Sequence, residues 1–124
     1  MSVAILRQGD VLIASIQSDL SDTEVMELRQ QLAELVGSYR LRGIVIDVGA
    51  LDVIDSFVTR ALRAIVLTAR LRGAETIIVG IAPEVAIAMV QFRLNLDPLR
   101  VALDLDEALA MLDRRNQRGA EDGG

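Results

Sequence analysis

Three carboxylates and one hydroxyl stand close together in the middle of the chain. Asp47 ends a short apolar run, Asp52 and Asp55 follow it, and Ser56 comes directly after them. Carboxylates at the end of a strand suit a magnesium site or an aspartate that accepts a phosphoryl group. A phosphoacceptor aspartate of the receiver type also needs a lysine, and the chain has none. The alternative is that these carboxylates are solvated and cap a helix.

Ser56 has a second feature of interest, because arginines follow it at helical spacing. On a helix that begins here, Arg60 and Arg63 fall on the same face as Ser56. The start of a helix and a nearby arginine both favour a phosphate on such a serine, whereas the neighbouring Asp55 would repel it. A phosphate would therefore switch the surface charge here. From the residues alone, the simpler interpretation is that Ser56 caps the helix and the arginines form a solvated face.

The residue types that the chain lacks exclude most enzyme chemistry. Among 124 residues there is no cysteine, histidine or lysine, so all 13 basic residues are arginine. Disulfides, thiolate nucleophiles, the commonest general base and Schiff-base chemistry are thereby excluded. The glycine-containing loops 43–49 and 80–83 also lack the spacing of a phosphate-binding loop. We therefore expect a non-enzymatic protein without a cofactor or a metal.

Charge and hydropathy restrict the partners and the location. The net charge of −5 disfavours nucleic-acid binding, which depends on a basic face that neutralises phosphates. Apolar runs such as 11–16 are far shorter than the roughly 20 residues that span a bilayer. Residues 1–5 lack the charged and long apolar regions of a signal peptide. We expect a cytoplasmic protein that binds neither nucleic acid nor membrane.

The first third of the chain predicts a hairpin and a helix that lie ahead of these residues. Two apolar runs, 3–6 and 11–16, flank a Gln-Gly-Asp turn signal, as in an antiparallel hairpin. Ser21 and Glu24 have the spacing of a capping box, in which each side chain pairs with the other residue's backbone N–H. Apolar residues then recur at intervals of three and four, which predicts an amphipathic helix.

The rest of the chain alternates strands with helices. The predicted strands are 43–48, 76–79 and 100–103, and the predicted helices are 57–72, 83–94 and one from Asp104 or Asp106 to Leu112. The order β-β-α-β-α-β-α-β-α implies one α/β domain with a mostly parallel central sheet, an N-terminal antiparallel hairpin and four helices. We place this domain at 1–114 and predict that 115–124, which has no apolar periodicity, is a disordered tail.

Several of these segments together resemble a known family. They are the run 43–48, the motif Ile54-Asp55-Ser56-Phe57, the segment 79–86 with its Gly-Ile-Ala-Pro sequence, and the closing 102–109. This combination is similar to the STAS domain (sulphate transporter and anti-sigma factor antagonist). More narrowly, it resembles the RsbS-type antagonists of the bacterial stressosome. The resemblance covers 3–114.

The resemblance implies a protein that is switched by phosphorylation. Antagonists of this kind co-assemble with RsbR-type co-antagonists into a large scaffold, which sequesters a switch serine/threonine kinase. On stress the kinase phosphorylates the scaffold proteins and is released, and a phosphatase resets them. Ser56 matches the phosphoacceptor, and Asp55, Arg60 and Arg63 are the expected partner-binding surface. A homodimer or a higher oligomer is also expected.

Two alternatives stay open. The chain resembles a simple anti-sigma factor antagonist as well, but that subgroup continues its Asp-Ser pair with Ser and Gly, whereas Phe57 and Val58 follow here. The other alternative is the STAS subunit of a transport or lipid-trafficking complex, in which the domain is structural. Stressosome relatives often carry a second hydroxyl in the helix after the proline motif. Residues 86–89 have none, so we expect no second phosphosite there.

Overall fold

Five strands form one mixed sheet in the order in which they occur in the chain. The computed structural model describes residues 3–52, 54–84, 87 and 99–113. The strands are β1 (Val3–Gln8), β2 (Val11–Ile16), β3 (Gly43–Asp47), β4 (Glu75–Val79) and β5 (Arg100–Ala102). β1 and β2 pair antiparallel, and each later strand pairs in parallel with the one before it. The predicted hairpin and the mostly parallel sheet are therefore confirmed.

Two long helices connect the parallel strands: α1 (Asp22–Tyr39) follows β2, and α2 (Ser56–Leu71) follows β3. The predicted capping box starts α1. The Ser21 hydroxyl accepts the N–H of Glu24 at 3.2 Å, and the Ser21 N–H donates to the Glu24 carboxylate at 3.1 Å. These bonds satisfy two donors that have no partner inside the helix, which fixes where α1 begins.

A third helix occupies residues 105–113. The carboxylate of Asp104 accepts the N–H of Glu107 at 2.9 Å, so Asp104 is the cap among the two predicted candidates. Of the helix predicted at 83–94, residues 83, 84 and 87 are helical, and the remainder lies outside the described residues. The prediction of a disordered tail likewise falls on residues that the structure does not describe. Among the helices of the described ranges, none combines the length and the apolar character needed to cross a membrane.

The sheet lies between two layers of helix, which explains why its central strands are buried on both faces and mostly apolar. On one face α1 and α2 cover the inner side chains of the sheet; this core contains Leu12, Ala14, Ile44, Ile46 and Ile78 with Leu28, Leu32, Leu62 and Ile65. On the other face the 105–113 helix packs on the alternate residues; this core contains Val11, Val45, Ile77 and Val79 with Ala108 and Leu112. Strands that are buried on both faces show no alternation of apolar and polar residues.

The edge where β3 and β4 begin is closed by one glycine and one arginine. A Cβ on Gly43 would lie 2.6 Å from the Leu112 side chain, so the 105–113 helix packs closely only because this residue is glycine. Beside it, the Arg42 guanidinium forms ion pairs of 2.8 Å with both Asp10 and Asp113. Its hydrogen bond with Asp10 raises the pKa of Arg42 above the usual value, against the opposing effect of burial. Arg42 thus ties the β1–β2 turn to the 105–113 helix.

Candidate functional site

The start of α2 is fixed by the residue before it, Asp55. One carboxylate oxygen of Asp55 accepts the N–H of Val58 at 2.9 Å, and its backbone is extended, as an N-cap requires. The carbonyl of Asp55 accepts two further bonds from Thr59, one from the N–H at 3.0 Å and one from the hydroxyl at 2.9 Å. Thr59 is buried although it is polar.

Ser56 is the first residue of α2 and its side chain is exposed. The interpretation of Ser56 as the helix cap is therefore wrong, because Asp55 takes that role. The reason is that either residue type makes a good cap, and the sequence does not fix which of two neighbours leaves the helical conformation. Ser56 is thus free of the capping bond, and its hydroxyl lies at the positive end of the helix dipole.

The loop that leads from β3 to Ser56 is held in place by hydrogen bonds where it leaves the sheet. The carboxylate of Asp47 accepts the N–H of Gly49 at 2.8 Å, and Val48 N–H donates to the carbonyl of Val79 at 3.0 Å. Gly80 lies against this turn with a φ of +89°, and a Cβ there would be 2.7 Å from the Asp47 carboxylate and 2.8 Å from Gly49 N. The ends of β3 and β4 therefore meet at backbone distance, which sets the position of the loop leading to α2.

The arginines that were predicted to share one solvated face of α2 differ in their exposure. Arg60 is exposed one turn beyond Ser56, whereas Arg63 is half-buried. Arg70, at the far end of α2, lies 3.6 Å from the carboxylate of Glu75. The structure therefore places Arg60 at the helix start with Ser56 and Asp55, and assigns Arg70 to contacts with β4.

The three aspartates do not form a metal site. Asp47 makes the turn with Gly49, Asp52 is exposed in the loop, and Asp55 caps α2. Within the described residues there is no group of three side chains that could hold a metal ion. The interpretation of these carboxylates as solvated or capping groups fits their contacts.

A cavity between the starts of α1 and α2 was not predicted from the sequence. Its volume is about 260 Å³ and its walls come from β2, both helices and the loops before them. Most of the wall is apolar; the lining side chains are Ile16, Leu20, Val25, Leu51, Phe57, Val58, Ala61, Leu62 and Ile65, with Asp19 and Asp55. Phe57, Val58 and Ala61 border this cavity and are half-buried.

The site thus consists of an exposed Asp-Ser pair at the start of α2, beside a mixed five-stranded sheet. The chain belongs to the STAS domain family, whose sequence pattern matches residues 2–108. This confirms the family to which the sequence motifs are similar.

Solved structures with the same fold include stressosome proteins. A Moorella thermoacetica RsbS variant is 32% identical, with a TM-score of 0.77 over 94% of this chain and 99% of that one. A chain from a structure of the molecular architecture of the stressosome is also 32% identical, with a TM-score of 0.71 over 91% of this chain and 98% of that one. The unphosphorylated antagonist SpoIIAA shares the fold at 12% identity, with a TM-score of 0.64 over 90% and 97%. Curated protein sequences give no match.

Proposed function

We propose that this STAS protein is a stressosome antagonist that sequesters a switch serine/threonine kinase and releases it when Ser56 is phosphorylated. The observation that carries the proposal is the exposed position of Ser56 as the first residue of α2, directly after the capping Asp55. Two stressosome chains at 32% identity support the same kind of function. The relative from Moorella thermoacetica is a serine-to-glutamate variant, a change that puts negative charge where a hydroxyl was.

The geometry of α2 supports Ser56 as the phosphoacceptor in three ways. Its hydroxyl is exposed, so a kinase can reach it without unfolding the helix. The cap bond to Val58 N–H comes from Asp55, so modification of Ser56 leaves that bond in place. A phosphate at the first helical residue interacts favourably with the helix dipole and lies one turn from Arg60.

The same geometry supports a mechanism by which the kinase would be released. We infer that the kinase docks over the start of α2 and brings acidic groups to Arg60 and Arg63. A phosphate on Ser56 adds about two negative charges at this contact, which repel acidic groups and compete for Arg60. A coupling of about 1–3 kcal/mol would weaken kinase binding by roughly 5- to 150-fold.

The partners follow from the same proposal. RsbR-type co-antagonists would share the scaffold with this chain, a phosphatase would reset Ser56, and the chain would pair with itself as a dimer or a higher oligomer. The protein would act as a regulator rather than an enzyme. The cytoplasmic location stays a prediction.

The first experiment measures the phosphorylation itself. The chain is incubated with ATP and the switch kinase encoded nearest in the genome, and the intact mass is recorded for the wild type, Ser56→Ala and Ser38→Ala. Ser38 is an exposed serine on α1 and serves as the matched control. We expect one phosphate on the wild type and on Ser38→Ala, and none on Ser56→Ala. A phosphate that persists on Ser56→Ala would refute Ser56 as the acceptor.

A second experiment measures release. Kinase affinity and complex size are recorded before and after addition of ATP. We expect a large assembly that loses the kinase in the wild type but retains it in Ser56→Ala. Release from Ser56→Ala at the wild-type rate would contradict the mechanism. A one-to-one complex without a large assembly would favour a simple anti-sigma factor antagonist instead, and tight binding to a permease or ATPase would favour a transport subunit.

A further inference from the structure

The kinase contact proposed for Ser56, Arg60 and Arg63 does not involve the cavity beside the start of α2. This cavity lies under Phe57 and Val58, the two residues that follow Ser56, and extends to Leu20 in the loop before α1. Its wall therefore joins the phosphorylation site to the opposite helix. A group that fills the cavity would contact both helix starts at once.

The volume of the cavity decides what size of group it can hold. Small-molecule sites usually enclose about 300–1,000 Å³, so a cavity of about 260 Å³ is small for a nucleotide or a metabolite of that size. It exceeds the roughly 150 Å³ of a dry cavity that accepts benzene. One long side chain is the group that fits this space.

The charges in the wall decide what kind of side chain it is. Among the described residues that line the cavity, the charged ones are two carboxylates, Asp19 and Asp55, and none is basic. Asp19 is exposed in the loop before α1, and Asp55 keeps one oxygen on the helix N–H of Val58. A wall of this kind is complementary to an aliphatic stem with a cationic head. Arginine and lysine side chains have this form, because they bury the stem and leave the head at the polar edge.

We propose that the cavity receives an arginine or lysine side chain of a protein that docks across the starts of α1 and α2. A negative charge on Ser56 strengthens the attraction of this region for a cation, so the docked protein is one that stays bound to the phosphorylated chain. The effect of Ser56 phosphorylation on this binding rests on the proposed function, whereas the match between the cavity and a cationic side chain does not. Phosphorylation of Ser56 would therefore strengthen binding of the protein that inserts this side chain and weaken binding of the kinase.

The chemistry is tested with hexylammonium as a probe for the stem and its charge. Titration is followed by backbone amide shifts in the full chain, with hexanoate as the probe of opposite charge. We expect saturable shifts at Leu20, Phe57 and Val58 with hexylammonium, and much weaker ones with hexanoate. Equal binding of the two probes, or no saturable shift at these residues, would overturn the proposal.

Three variants locate the probe. Asp19→Asn removes one carboxylate and should weaken hexylammonium binding by about two- to fivefold, the range of a solvent-exposed charge pair. Asp52→Asn makes the same change in an exposed loop residue outside the cavity wall and should leave binding unchanged. Ala61→Phe fills the cavity and should abolish binding. If Ala61→Phe does not fold, the comparison of Asp19→Asn with Asp52→Asn decides, and equal effects of these two variants refute the site.

The source of the cation is tested with peptides. An acetylated and amidated peptide with one lysine between glycines should shift the same amides as hexylammonium, and the matching glutamate peptide should not. Binding of the free amine without binding of the lysine peptide would contradict a protein partner. Ser56→Glu should bind hexylammonium at least as tightly as the wild type. Weaker binding would contradict the claim that negative charge at this position attracts a cation to the cavity. These titrations use no kinase, so a failed phosphorylation experiment leaves their outcome unaffected.

Discussion

Gly80→Ala is expected to lower the free energy of unfolding more than a substitution at a glycine that has a positive φ but no close neighbour. Gly80 has a φ of +89°, and an added Cβ would lie 2.7 Å from the Asp47 carboxylate and 2.8 Å from the backbone nitrogen of Gly49. Positive φ costs a non-glycine residue about 1–3 kcal/mol. The close contact adds a further cost of about 1–3 kcal/mol, because Gly49 N is backbone and cannot rotate away.

Gly73→Ala is the matched control. Gly73 has a φ of +87°, nearly that of Gly80, but a Cβ there meets no atom within 4 Å. The difference between the two variants therefore isolates the contact with Asp47 and Gly49. At about 2.1 cal/mol/K of unfolding entropy per residue, 1 kcal/mol corresponds to about 4 °C for 124 residues. We expect Gly80→Ala to melt roughly 4–12 °C below Gly73→Ala.

The assay is thermal unfolding by circular dichroism, combined with the initial rate of Ser56 phosphorylation well below each melting temperature. Gly80→Ala should also slow phosphorylation, because displacement of Gly49 moves the loop that leads to Asp55. Gly73→Ala should keep the wild-type rate. Equal melting temperatures for the two variants would refute the close approach of β3 and β4, and an unchanged rate in Gly80→Ala would refute its role in positioning Ser56.

Three further outcomes follow from single contacts. Asp55→Ala should lower the free energy of unfolding by about 1 kcal/mol through loss of the α2 cap, whereas Asp55→Ser should retain most of it; chemical denaturation measures both. Gly43→Ala should destabilise the chain because its Cβ would meet Leu112 at 2.6 Å, and the double variant with Leu112→Ala should recover part of that loss relative to Leu112→Ala alone. Arg42→Gln should cost on the order of 1 kcal/mol, and less at high salt, because its ion pairs are partly exposed. Because the pKa of Arg42 is raised in the folded chain, the stability gained from its protonation is fully present below the usual arginine range and is lost as the pH rises through the folded value.

Much of the fold is predictable because its local signals agree with its packing. The capping box of Ser21 and Glu24, the hairpin turn and the apolar central strands each have one physical interpretation in sequence, and all three are found. The stop of α2 near Gly73 is of the same kind, since this residue has a positive φ.

The details of the site depend on contacts between distant segments. The periodicity of apolar residues along the sequence does not predict such contacts. Neither the tight approach of Gly80 to Asp47 nor the cavity that leaves Phe57 half-buried has a signal within its own segment. Thr59 is polar, so the apolar pattern omits it, although its hydroxyl has a partner one turn earlier in the Asp55 carbonyl. A threonine four residues after a helix cap is a signal that could have found it, because its hydroxyl can reach that carbonyl.

The order of the strands also has a kinetic consequence. β1 and β2 pair through a two-residue turn, whereas Asp47, which ends β3, and Gly80, which follows β4, are separated in the chain by the whole of α2. Parallel pairing of this kind closes a long loop before any contact stabilises it, so we expect it to form after the hairpin. The turn that positions Ser56 is therefore complete only when β3 and β4 have paired. An enzyme that recognises the shape of this helix start would modify native copies of the chain and pass over nascent or misfolded ones.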